Sequence, residues 1–273
     1  MHVVDLTEDY ENEYIKNGDR LAYEDSFPEL FDYYYRFWAS RERDIAAVSR
    51  KDIQIRKGWV SQLIEKLSSA LTDNEIDLDS IGLIYFIGAG TTNGHAIKYQ
   101  NKFYVWLPLE TYTSKKLVKV FVTHEIAHAL HYHYSPSFYF NSRDNMLQVS
   151  RQLISEGLAT YITRELLGIS DLQALWADYL SEGDAKKWQR DCEAEENNLY
   201  RLIVERFYGS VQDMRIFIAA DPKDIYQFRS GYYIGLKLIA NYASKNNLTL
   251  KDLLKLPRQK FEIDILELIN SRG

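Results

Sequence analysis

The chain has 273 residues, 46% hydrophobic and 26% charged, with 33 basic against 39 acidic side chains and a formal net charge of −6. That balance fits a soluble globular protein of one large domain or two intimate subdomains. With no Lys/Arg stripe to offset the acidic excess, it counts against nucleic-acid binding.

A single cysteine, Cys192, rules out an internal disulfide and a cysteine metal cage. No run approaches the roughly 18–20 apolar residues of a membrane span. The first residues, MHVVDLTEDYENEYIKNGD, lack the positive start and apolar core of a signal peptide. The expectation is a cytoplasmic protein with neither a membrane nor a nucleic-acid partner; oligomeric state leaves no signature.

The first 80 residues read as helical. Leu21 to about Ser40 carries the aromatic cluster FPELFDYYYRFW, and Lys51 to Leu71 places Ile55, Trp59, Leu63 and Leu67 at four-residue spacing. Ile81 to Ile87 is an apolar strand that runs into a GAGTTNG loop. HAIKY, QNK and FYVWLPL then read as a hairpin, with Pro108 at an end or an edge.

From Ser114 the apolar residues Leu117, Val118, Phe121, Val122, Ile126 and Leu130 predict a helix that stops near Pro136. Asn145 to Leu167 predicts a second, capped by Gly168, and the chain beyond Asp171 is helical with a break at 219–222. The fold class is α+β: a small antiparallel β-meander, then mostly helices. Three parts are expected: an N-terminal helical segment (1–80), a central core (81–170) and a helical C-terminal subdomain (171–273).

Four of the six histidines fall in VTHEIAHALHYH. On a helix, His124 and His128 lie about 40° apart around the axis and one turn along, so both imidazoles can point at one ion. Glu125 then lies beside the ion. That is the H-E-x-x-H arrangement, two zinc ligands and a general base. A catalytic zinc needs a third protein ligand. His131, His133, Asp144, Glu156 and Glu165 are the candidates. The pattern with a third His at position 134 is excluded, because Tyr134 stands there. Glu156, in ISEGLATYI on the next helix, is preferred. Gly157 beside it permits close approach of two helices and otherwise costs about 1 kcal/mol in a helix interior. His131 and His133 are expected at the surface or beside the ligands, and Glu165 on a solvated face.

HEIAH followed by SEGLATY resembles the gluzincin class of zinc peptidases. More closely, it is similar to a bacterial family of predicted zinc-dependent proteases, through IYFIGAGTTNGHA, HEIAH, EGLATY and Gly231-Tyr-Tyr-Ile-Gly235, over about residues 81–245. The resemblance implies a zincin-like core and one zinc ion held by His124, His128 and Glu156. It implies a peptide or protein substrate, hydrolysed by a metal-activated water with Glu125 as general base. It also implies a hydroxyl that stabilises the oxyanion. Tyr232 and Tyr233 are the candidates, Tyr232 preferred, while the residues themselves offer His95 as a rival. An edge strand would bind the substrate backbone, from Gly94–Tyr99 or Phe103–Leu107, with Asn93, His95 and Ala96 near the cleft. One departure is visible. Thr160 stands where thermolysin-like enzymes carry an Asp that supports a zinc-bound His. Two other functions are compatible with the motifs: a non-catalytic module that keeps the shape of the zinc site, and a zinc hydrolase of a non-peptide amide.

Overall fold

The computed structural model describes residues 1–140, 142–210 and 214–271. The chain divides into two compact units, Met1–His133 and Tyr134–Gly273. Among the described residues no helix is long and apolar enough to cross a membrane.

The first unit is built on a four-stranded sheet: β1 (His2–Asp5), β2 (Ile81–Phe86), β3 (His95–Tyr99) and β4 (Lys102–Pro108), in the order β1-β2-β4-β3. The expected hairpin is present. β3 and β4 pair antiparallel, with His95 opposite Trp106 and Tyr99 opposite Lys102. Gln100 and Asn101 turn between them at φ 46° and 65°, the left-handed pair that a two-residue turn requires.

The sheet is mixed rather than an antiparallel meander. β2 runs parallel to β4 and β1 parallel to β2. The loop after β2 carries the chain past the neighbouring position, so β4 lies between β2 and β3 and leaves β3 at the edge. β1 comes from HVVD, too short a β-branched run to stand out in a stretch read as helical. β2 is buried along its whole length, as a central parallel strand should be.

Two helices of this unit lie where expected, but the second buries a different stripe from the expected one: Ile55 is 39% exposed and Trp59 half-buried, while Leu63 and Leu67 are buried as expected. Helix α1 (Pro28–Phe37) starts on a proline at its first turn, where the missing N–H costs nothing. Tyr34 and Phe31 meet Phe86 edge-on at 5.4 and 5.9 Å, and Tyr34 meets Trp106 at 5.7 Å. Helix α2 (Arg50–Asp73) is capped by Ser49, whose hydroxyl accepts from the Asp52 amide. It buries Ile53, Val60, Leu63, Leu67 and Leu71. Helix α3 (Thr123–Tyr134) closes the unit, and Tyr132 meets Phe103 of β4 at 5.9 Å.

The second unit is helical: α4 (Val149–Leu167), α5 (Asp171–Trp176), α6 (Glu182–Ala194), α7 (Glu196–Arg206), α8 (Ser230–Asn246), α9 (Leu250–Lys255) and α10 (Arg258–Asn270). Gly168 ends α4 at φ 59°, the left-handed cap expected of it. The break at 219–222 belongs to a longer irregular stretch, with single 3₁₀ turns at Arg215–Phe217 and Ile225–Gln227. Arg151, in the first turns of α4, donates to the carbonyls of Ser137, Phe138 and Tyr139 at 2.8–3.1 Å. Ser150 donates to Glu262 at 3.0 Å, which ties α4 to α10.

Candidate metal centre

The helix that carries HEIAH does not run evenly from Ser114. A short α-turn, Lys115–Leu117, passes into a π-helical segment, Val118–Val122, and only then into α3. The wider turn resets the phase of the helix just before His124. Such single π turns recur at functional sites.

Within α3, His124, Glu125 and His128 are all buried, with 7%, 8% and 2% of their surface exposed. The two imidazoles stand nearly perpendicular, at 81°, and their Nε2 atoms converge to 3.1 Å. Two nitrogens bound tetrahedrally to one zinc at 2.0–2.1 Å would lie about 3.3 Å apart. The spacing observed is therefore that of two ligands facing one ion, within a few tenths of an ångström. Glu156 sits on α4. His124, His128 and Glu156 each offer one ligand atom, and these atoms all lie within 4.8 Å of one another. Two imidazoles and a carboxylate are a donor set that suits zinc and leaves a coordination position open.

Around Glu125 the first unit places His95, a candidate from the sequence, and adds Tyr112, which the sequence reading missed. His95 Nδ1 lies 4.0 Å from Glu125 Oε2. Gly94 is at φ +128°, and a Cβ there would meet the Trp106 carbonyl at 2.9 Å and Glu125 Cγ at 3.2 Å. Only glycine lets the loop pass this close to the carboxylate. Tyr112 is fully buried and bonds the Asn93 carbonyl. Burial, and next the charge of Glu125, push its phenol well above its ordinary range. The sequence held one hint of this arrangement, the glycine that ends GAGTTNG.

Glu110 was also missed. Its two carboxylate oxygens accept the amides of Gly88 and Gly90 at 2.9 and 3.0 Å and so hold the loop that leads to β3. Burial raises its carboxyl, against the lowering effect of those amides and of Arg56.

The other sequence candidates fall as follows. Ala96 is fully buried on β3. His131 is buried too, and desolvation, then the neighbouring His128, lowers its imidazole to about 3; His133 is exposed. The Thr160 hydroxyl bonds the Glu156 carbonyl of its own helix at 2.7 Å. Tyr233 is buried against Trp188 and its hydroxyl takes a bond from Lys237 at 3.3 Å. Tyr232 is half-buried, with the Arg229 guanidinium 4.1 Å above its ring.

Residues 60–262, well over half of the chain, match a family described as predicted Zn-dependent protease (DUF2268). The chain belongs to that family. No curated protein and no solved structure matches it significantly. Family and donor set agree on the metal: a His-His-Glu group in a chain of a Zn-dependent protease family.

Proposed function

We infer that the protein is a zinc metallopeptidase of gluzincin type, a hydrolase of peptide bonds that uses one ion held by His124, His128 and Glu156. The observation that carries this reading is the grouping of those three ligand atoms with Glu125 one residue along the same helix. A zinc ion there supplies a Lewis acid that polarises a carbonyl and lowers the pKa of a water.

The chain's own groups do the rest. The Glu125 carboxylate takes a proton from the attacking water and returns it to the departing nitrogen. Burial keeps that carboxylate out of bulk solvent, and Gly94 leaves room beside it. Tyr232 is the donor to the developing oxyanion that the family resemblance prefers, with Tyr233 the alternative. His95, 4.0 Å from Glu125, is the other candidate. Of the two strands expected to bind substrate, β3 is the edge strand and β4 is internal, which favours His95–Tyr99. His95 and Ala96 are buried, so of the expected substrate residues Asn93 is the one part-exposed to a peptide adding there.

The test compares wild type with Glu125→Gln on a mixture of unstructured peptides, with zinc content measured in parallel. Equal zinc and a loss of about 10²–10⁴-fold in turnover are expected of the variant. Equal turnover in the two proteins would overturn the assignment. Zinc bound by both with no cleavage by either would make the chain a binding module.

A further inference from the structure

An open groove of about 610 Å³ lies in the first unit, lined by residues 35–40, 43 and 90–91. It begins where α1 ends and shares the loop that Glu110 holds. Trp38 joins it to the centre, because its ring lies 5.1 Å from that of His95, which in turn reaches Glu125.

The charge of this groove is unusual for an acidic protein. No Asp or Glu lines it. Of the four arginines nearby in sequence, two are neutralised. Arg20 bonds Glu24, and Arg41 bonds Glu24 and Asp32, at 2.5–2.9 Å. Arg36 and Arg43, the two that line the groove, are exposed, and neither guanidinium forms a hydrogen bond or ion pair among the described residues. Arg36 lies over the Phe37 ring at 6.0 Å, and the two guanidiniums, with no acidic partner among the described residues, flank an aromatic wall. A guanidinium fork matches a carboxylate, and aromatic faces take the apolar body of a peptide. Both arginines precede residues 60–262, so they lie outside the part of the chain that places it in its family.

We propose that this groove is a substrate subsite that recognises a peptide carboxylate through Arg36 and Arg43, and thereby selects acidic peptides for the neighbouring centre. It rests on the reading of the chain as a peptidase but is a statement about binding. The carboxylate can come from a side chain or from the peptide's C-terminus, and the experiment separates these sources.

The probe is a fluorescein-labelled pool of decapeptides with four glutamates, against the same pool with glutamines, each with a free or an amidated C-terminus. Binding is read by anisotropy on the Glu125→Gln protein, which removes turnover from the measurement. Preference for the glutamate pool is expected. So is a loss of about five-fold for each of Arg36→Gln and Arg43→Gln, and weakening as salt rises from about 0.05 to 0.3 M. If amidation weakens both pools alike and glutamine does not, the C-terminal carboxylate is the group recognised; if the change to glutamine weakens binding whatever the C-terminus, it is the side chain.

Arg190→Gln removes the same charge from an exposed site outside the groove and is expected to leave binding unchanged. Thermal melts of all three variants show that each is folded. Equal binding of all pools, or a loss in Arg190→Gln matching that in the groove variants, overturns the proposal. Failure of the peptidase reading shows separately, as absent cleavage by wild type while acidic peptides still bind.

Discussion

Gly157 of α4 faces Gly235 of α8 with no room between them: a Cβ on Gly157 would lie 2.5 Å from the carbonyl carbon of Gly235, and one on Gly235 2.6 Å from the Leu153 carbonyl oxygen. The obstacle on both sides is backbone, which cannot rotate out of the way. The two glycines thus set how closely α4 and α8 cross. Glu156 is the residue before that crossing, so the position of its carboxylate depends on it.

Either glycine changed to alanine is therefore expected to destabilise the second unit by about 1–3 kcal/mol or more, the cost of overpacking. In a chain of this size that lowers the melting temperature by about 2–4 °C per kcal/mol. Gly58→Ala is the control. Gly58 is a helical glycine in α2 with nothing within 4 Å of its Cβ position, so alanine there is expected to stabilise by about 0.5–1 kcal/mol. Melts in which all three variants shift alike would refute the close crossing.

Metal retention separates the ligands from the base. Glu156→Gln and His124→Ala are each expected to weaken zinc binding by more than the 10–100-fold that loss of a mere supporting partner costs. Glu125→Gln is expected to keep the ion. Saturating zinc raises the melting temperature of any variant that binds it, because the ion favours the folded state. A Glu156→Gln protein with wild-type zinc content after dialysis would remove Glu156 from the ligand set.

Glu110 makes a prediction about the loop rather than the metal. Glu110→Ala leaves the Gly88 and Gly90 amides without their acceptor, at a cost of about 1–3 kcal/mol. Hydrogen exchange at those two amides is expected to accelerate and peptide turnover to fall, with zinc content unchanged. Unchanged exchange would show that the carboxylate does not hold the loop.

Cys192 gives a check that is independent of activity. It is fully buried, and burial first, then the charges of Asp191 and Glu193, push its thiol up to about 12. The folded thiol therefore stays protonated while an unfolded one ionises near 8.5. Between those values the unfolded state holds fewer protons, so stability falls as pH rises through that window. The native protein is expected to resist a thiol reagent at pH 8 and to react on unfolding in urea. Fast labelling of the folded chain would show that α6 leaves this side exposed.

The parts that depend on short-range pattern were legible. His124 and His128 meet because of a four-residue spacing, Gly168 caps α4 because it can adopt positive φ, and the hairpin follows from two strands about Gln100 and Asn101. The parts that depend on chain crossing were not. HVVD carries too little signal to read as a strand, and the parallel pairing of β2 with β4 is set by where the 87–94 loop travels. Gly157 was read as a point of close helix approach, but its partner, Gly235, lies 78 residues away in sequence. The groove at Arg36 and Arg43 was invisible for another reason. The aromatic cluster reads as core, and only the ion pairs made by Arg20 and Arg41 reveal which arginines are left with no acidic partner among the described residues.

The π-helical segment at Val118–Val122 has a consequence for chain length. A π turn is an α-helix that has taken in one surplus residue. Deleting a residue from an ordinary stretch of helix swings everything beyond it by about 100°, which would turn both imidazoles away from their ion. Deleting one here instead heals the bulge and leaves the histidines aimed as they were. A one-residue deletion within 118–122 is therefore expected to leave zinc binding intact, where one inside α3 between the two histidines is expected to abolish it.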